Sequence, residues 1–221
     1  MLRFNGNEYI ISDLHLTHKN IIKYCKRPYE MTTEGISLMM EDILKLFDNL
    51  PENCVVWNLG DLLDTSVRHS VDEVRPIIDR MKGPKGLRKL YLILGNHDNC
   101  TLDKSRVKFY YEVGFNKVYD TPIIVGDKFI LSHEPVYLDK SSIFTNLYGH
   151  THDKAIESNY FCYDWEKFFI AAREARSQGL EEPEPKIAFP EREIDTSKYL
   201  NVCYDYNHRF LDLSKVLKRF K

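Results

Sequence analysis

Five short apolar runs in this chain each stop at an acidic, amide or imidazole side chain. No other feature limits the fold as much. Residues 9–12 lead into Asp13-Leu14-His15, and 54–57 into Gly60-Asp61-Leu62-Leu63-Asp64. Residues 90–94 lead into Gly95-Asn96-His97-Asp98, 128–132 into His133, and 144–148 into Gly149-His150-Thr151-His152. An apolar run of four or five residues bounded by turn formers reads as a buried strand. Asp, Asn and Gly suit the loop after a strand rather than its interior. In α/β proteins the carboxyl ends of strands are where ligands collect. Any one of these ends could be an ordinary turn. Five of the eight histidines in the same kind of place would then be left without a common cause.

Between these runs the period changes to that of helices. Residues 33–50 place Ile36, Met40, Ile43, Leu44 and Phe47 on one face. Ser70-Val71-Asp72-Glu73 has the form of a capping box, predicting a helix to about residue 82, with Pro76 arguing for a later start or a kink. A helix over about 102–113 ends at Gly114. Gly126-Asp127 reads as a hairpin turn, and short helices are expected near residues 20–25 and from residue 213. Strands and helices interleave early and a hairpin-rich stretch follows, which predicts an α/β fold with a mixed pair of sheets in a single domain of residues 1–221.

Residues 153–197 differ, with six Lys and Arg against eleven Asp and Glu and an aromatic-dense stretch at 159–169. They read as an insertion that carries a helix at about 164–177. Because the segment follows His152 directly, it is expected to start at the rim of the site and to fold over it or onto a neighbouring chain.

Composition removes several function classes. A net charge of -2 gives no electrostatic case for a dedicated nucleic-acid binder. No apolar run approaches a membrane span, and the first residues lack the apolar core of a signal peptide. The five cysteines are scattered with no C-x-x-C pair, so buried free thiols and a cytoplasmic location are expected.

Asp13 and His15 are two apart, as are His150 and His152, so each pair can converge on one ion. Asp, His and Asn together suit manganese, iron or zinc better than calcium. Asp13, His15, Asp61, Asn96, His133, His150 and His152 exceed the needs of one ion and suit two that share a carboxylate.

These motifs, in this order, resemble the calcineurin-like metallophosphoesterases. His18-Lys19-Asn20-Ile21-Ile22, Arg27-Pro28, His133-x-Pro135 and Asn201-Val202 are similar to the small bacterial and phage-type members. The resemblance implies a four-layer sandwich of two mixed sheets flanked by helices, with a two-metal site at the strand ends. Asp13, His15 and His152 would hold one ion, Asn96, His133 and His150 the other, and Asp61 both. Manganese is the ion expected to support activity best. His97 would stand by the departing oxygen, oriented by Asp64. Thr65 stands where the phosphoprotein phosphatases carry an Arg, so protein phosphatase activity is not expected. The expected reaction is attack on phosphorus by a hydroxide held between the ions, since even one zinc lowers a bound water's pKa to roughly 7.

A small phosphorylated substrate, nucleotides included, is expected, as monoester or diester. A nuclease is the alternative, opposed by the acidic 153–197 segment. A non-catalytic scaffold is a third reading, opposed by the full ligand set. His18 could touch substrate, and Arg27 could grip phosphate or be a packing element of its loop. His69 and His208 read as surface or structural, the aromatics of 160–169 as a buried helix face or an oligomer contact with nucleobase stacking the alternative, and the basic loop 82–89 as a solvated turn.

Overall fold

The computed structural model describes residues 2–4, 6–64, 69–98 and 105–219. Thr65 and Cys100 lie outside them, as does the start of the helix expected from residue 102. Strands β1 (Glu8–Ile11), β2 (Val55–Asn58) and β3 (Lys89–Ile93) run parallel. They are joined through helices α1 (Ile21–Tyr24), α2 (Thr33–Asp48) and α3 (Val71–Lys82). Helix α4 (Ser105–Val113) leads to β4 (Lys117–Tyr119), which extends the sheet beyond β3. A second sheet holds the hairpin β5 (Ile123–Val125) and β6 (Phe129–Ser132), then β7 (Thr145–Tyr148) and β8 (Tyr199–Asn201). Helix α5 (Trp165–Ser177) precedes β8. After β8 come α6 (Tyr204–Asn207), β9 (Leu211–Asp212) and α7 (Leu213–Arg219). β9 pairs antiparallel with β1 at the edge of the first sheet.

The strands of the first sheet are apolar on both faces because both are covered. Ile11, Val56, Leu90 and Leu92 face one core with Met39, Ile43, Phe47, Val74 and Ile78 from the helices. Ile10, Trp57 and Ile93 face a second core with Leu131, Leu147 and Val202 from the other sheet. This alternation follows from the two-residue period of a strand.

The outer face of the second sheet supplies a third core. Tyr148 and Tyr199 pack there with Leu138, Ile156 and Ile194, and Ile130, Phe144, Tyr160 and Phe161 pack around them. Ile156, Ile194, Tyr160 and Phe161 belong to the acidic 153–197 segment. It starts beside His152 and spreads over the back of this sheet as a fourth layer. Helix α5 stands off that layer, with Ala172 its buried residue and Phe169 and Ile170 more than half exposed. No helix among the described residues is long and apolar enough to cross a membrane.

The Ser70 capping box is complete, with Ser70 Oγ accepting from Glu73 N and Glu73 accepting from Ser70 N. The helix begins there despite Pro76, which sits within its second turn. The basic loop is not simply a solvated turn. Arg88 is buried, and its guanidinium donates to the carbonyls of Leu50, Pro51 and Met81. The loop tucks one charge inward to satisfy backbone acceptors between α2 and β2. The described cysteines are all free.

Candidate metal centre

The loops after β1, β2, β3, β6 and β7 meet at one edge of the paired sheets. Backbone bonds continue past the strands to hold them: Asp13 N to Gly60 O at 3.0 Å, His15 N to Asp61 O at 2.9 Å, and Gly149 N to His133 O at 2.7 Å. The chain must turn sharply to aim its side chains inward. Seven described non-glycine residues have positive φ, and five of them are Asp13, His15, Asp61, His150 and His152. Such backbone costs about 1–3 kcal/mol per residue and persists where surrounding structure enforces it. Gly95 and Gly149 allow close approach, because a Cβ at Gly95 would lie 2.6 Å from Asp61 N and one at Gly149 2.5 Å from Asp13 Oδ2.

Four groups of donors form among the described residues, and two of them share Asp13. Asp13, His15 and His152 offer atoms within 4.8 Å of one another, and so do Asp13, Asp61 and His133. Asn96 Oδ1 lies 2.8 Å from His133 Nε2 and 3.0 Å from His150 Nδ1. Asp61 Oδ2 stands between the groups, 3.5 Å from His15 Nε2 and 3.4 Å from His133 Nε2. The backbone amides of opposing loops aim both carboxylates: His97 N donates to Asp61 Oδ1 at 2.8 Å, and His150 N to Asp13 Oδ2 at 2.9 Å.

Hydrogen bonding fits this arrangement to cations. His15 Nε2 is buried with no hydrogen-bond partner. A buried nitrogen left unpaired costs about 1–3 kcal/mol, and a metal ion would satisfy it. His133 Nδ1 donates to Leu59 O at 2.8 Å. Its Nε2 is thereby turned toward two acceptors, Asn96 Oδ1 and Asp61 Oδ2, which only a proton or a metal can reconcile. Burial opposes charge on His133, but the Asp61 carboxylate against it raises its pKa to about 9. The same conflict raises His152 to about 10: burial lowers it, and Asp205 more than offsets this. Asp61 lies below the usual carboxylate range because the surrounding histidines outweigh its burial. His15 and His150 are pushed down by burial, with His133 adding to the effect at His150.

A family model for calcineurin-like phosphoesterases matches residues 9–189. The chain belongs to this family. It is also similar to the uncharacterized protein MJ1445 of Methanocaldococcus jannaschii, at 30% identity over 159 residues, covering 69% of this chain and 73% of that protein. In this member of the calcineurin-like family, every residue expected to bind metal from the sequence lies at the loop cluster.

Asn96 and His97 diverge, although they are the central residues of a turn closed by Asp98 N to Gly95 O at 3.1 Å rather than part of an extended loop. Asn96 meets His133 and His150, whereas the His97 ring lies 5.0 Å from the rings of His15 and His18. Asp64 is buried at the cluster's edge, and its backbone N–H donates to Thr17 Oγ1 at 3.0 Å. His69 is structural there, donating from Nε2 to Asp64 O at 2.8 Å. His208 is exposed and takes the left-handed conformation at the end of α6.

Arg27 is a brace. It is buried, pairs with both oxygens of Asp205 at 2.7 and 2.9 Å, and donates to the carbonyls of Asp13 and Leu14. Asp205 also accepts from His152 Nδ1 at 2.9 Å. This fixes the His152 tautomer and leaves Nε2 free toward Asp13. Sequence reasoning passed over Asp205, which follows the last long strand with no histidine beside it. It also passed over Asp98, whose buried carboxylate accepts from Asp61 N, Leu62 N, Gly95 N and the Tyr110 hydroxyl. Burial, with the Asp61 charge nearby, pushes Asp98 up to about 6.

Asp205→Asn keeps an oxygen for Arg27 but removes the charge behind His152. Outer partners of metal ligands are typically worth about 10–100-fold in affinity. The variant should weaken the ion at the Asp13–His15–His152 position by that range and the other much less, as read by chelator competition. Equal weakening of both would mean that Asp205 acts on the loops as a whole.

Proposed function

We propose that this chain hydrolyses phosphate esters at a two-metal centre. Asp13, His15 and His152 hold one ion, Asn96, His133 and His150 the other, and Asp61 bridges them. What carries the reading is Asp61 Oδ2, poised 3.5 Å from His15 Nε2 and 3.4 Å from His133 Nε2, the former buried with no hydrogen-bond partner. When bound, the ions supply charge to polarise the phosphoryl oxygens and to activate water. The chain's own residues do the rest. Leu59 O and Asp205 hold the tautomers of His133 and His152, and Asp98 clamps the loops bearing Asp61 and Asn96. His97, half-buried and beside the cluster, hands a proton to the leaving oxygen, with Asp64 as its orienting acid. The substrate is a small phosphate monoester or diester, and manganese is the ion expected to serve best.

Chelator-stripped protein should take up two ions per chain from manganese, iron(II) or zinc and should then hydrolyse members of a panel of phosphomonoesters, cyclic nucleotides and dinucleotides. Failure to bind two ions, or binding without hydrolysis of any ester, would overturn the reading. Faster turnover of oligonucleotides with a steep salt dependence would make the enzyme a nuclease.

A further inference from the structure

Residues 18–26 form a rim of the site that the roles above leave unused. Between Asp13 and Glu30 the chain has no Asp or Glu, yet it carries Lys19, Lys23, Lys26 and Arg27. Arg27 is committed to Asp205. The three lysines are exposed and enter no ion pair among the described residues. Lys45, Lys85, Lys108, Lys140, Lys167 and Lys215 each lie against a carboxylate, whereas Lys82, Lys89, Lys128, Lys154, Lys186 and Lys218 share the unpaired state of the three but not their place in the segment after His15. Positive charge thus gathers in the segment that follows Asp13 and His15, in a chain of net charge -2.

A line of rings leads from the centre to this rim. His18 Nδ1 lies 3.3 Å from His15 Nδ1, and the His18 ring is 5.0 Å from that of His97. The next ring is Tyr24, edge-on to His18 at 6.4 Å and 69% exposed. Single exposed aromatics are ordinary. This one sits on a fixed element, since Ile21 and Ile22 bury the other side of α1 and Cys25 N bonds to Ile21 O. A phenol held in solvent, one ring beyond the reacting edge and flanked by unpaired lysines, presents a stacking face and cationic donors together.

We propose that this rim is a recognition subsite for the part of the substrate that is not cleaved. A nucleobase stacks on Tyr24, and at least one further phosphate lies against Lys19, Lys23 and Lys26. The proposal rests on the phosphoester reading and narrows its substrate to a small nucleotide carrying a phosphate besides the one hydrolysed. Stacking suits any base, and ammonium groups bind phosphate as point charges. Three lysines give no track for a long nucleic-acid backbone, and the acidic 153–197 segment gives no continuation for one.

Two measurements test it. Adenosine, AMP and ADP are titrated into chelator-stripped protein by calorimetry. Hydrolysis of adenosine 3′,5′-bisphosphate, whose two phosphates are both ester-linked, and of p-nitrophenyl phosphate is then compared in the manganese-loaded protein. In the wild type, affinity should rise from adenosine to AMP to ADP. Tyr24→Ala should weaken ADP by roughly fivefold to a hundredfold, the range of one base stack, and Tyr24→Phe should not. Replacing the three lysines by Gln should flatten the rise with phosphate number. The loss in kcat/KM, carried by KM, should be at least fivefold greater for adenosine 3′,5′-bisphosphate than for p-nitrophenyl phosphate. Equal ADP affinity in wild type and variants would overturn the subsite, as would tighter binding of an oligonucleotide than of ADP. A wild type that cleaves no ester with any metal overturns the phosphoester reading instead, and the calorimetry still decides the rim.

Discussion

Replacing Asp61 with alanine is expected to abolish ester hydrolysis and to lower metal content at both positions. The Asp13–His15–His152 and Asp13–Asp61–His133 groups share Asp13, and Asp61 Oδ2 lies within 3.5 Å of an imidazole from each. Its carboxylate is charged at any working pH, because His133 and His15 hold it below the usual range despite burial. Without that charge, each ion loses an anionic ligand at once, and the crowded imidazoles lose the anion that offsets them. The loss of rate should exceed the roughly 100-fold typical for an outer partner of a metal ligand. Alanine also strains the backbone, since φ is 52° at this position. Asp61→Asn is the matched control: asparagine tolerates left-handed backbone, keeps an acceptor for His97 N and loses only charge. Elemental analysis should find fewer than two ions per chain in both variants. Two ions bound to Asp61→Ala would remove Asp61 from the bridging position.

What the sequence made legible is what repeats. The strand ends announce themselves because Asp, Asn and His interrupt apolar runs, and each donor at the loop cluster sits at such an end. Helix α3 could be read from its cap, since Ser70 and Glu73 satisfy each other locally and need no distant partner. The brace was only half legible: Arg27 read as a phosphate grip or a packing element, but its partner could not be read. Arg27 and Asp205 are 178 residues apart, and neither position has a periodic or local signature. Arg88 likewise looked like a surface charge, because its acceptors are backbone carbonyls from another element. The fourth layer was half legible. The apolar residues of 153–197 were visible, but Ile156 and Ile194 come from irregular stretches with no period to aim them. The outer face of the second sheet that they cover is built from residues four separate segments contribute. Asp98 was in plain view within Gly95-Asn96-His97-Asp98, yet its work is to accept hydrogen bonds from Asp61 N, Leu62 N and Gly95 N. No residue type advertises that role.

His97→Ala should keep both ions and lose rate in a way that depends on the leaving group. The His97 backbone aims Asp61, so replacing the side chain leaves that hydrogen bond in place. Its ring faces His15 and His18 rather than the His133–Asn96–His150 group, and it is half-buried, open to an incoming ester. An imidazole beside the ions but not bound to them can protonate the departing oxygen. That matters for an alkyl or sugar alkoxide, which is a poor leaving group, and little for nitrophenolate, which departs unaided. Positioned acid catalysis typically contributes about 10²–10⁴-fold, so alkyl esters should lose rate in that range and nitrophenyl esters much less. Equal losses on both would assign the ring to the phosphoryl oxygens instead. A ligand role has a geometric basis as well, because nitrogens of His15, His18 and His97 lie within 4.8 Å of one another. Metal content therefore has to be measured on the same preparation. A variant that lost one ion would make His97 a ligand, and the proton would then have to come from another group at this edge, with His18, in ring contact with His97, the first to replace.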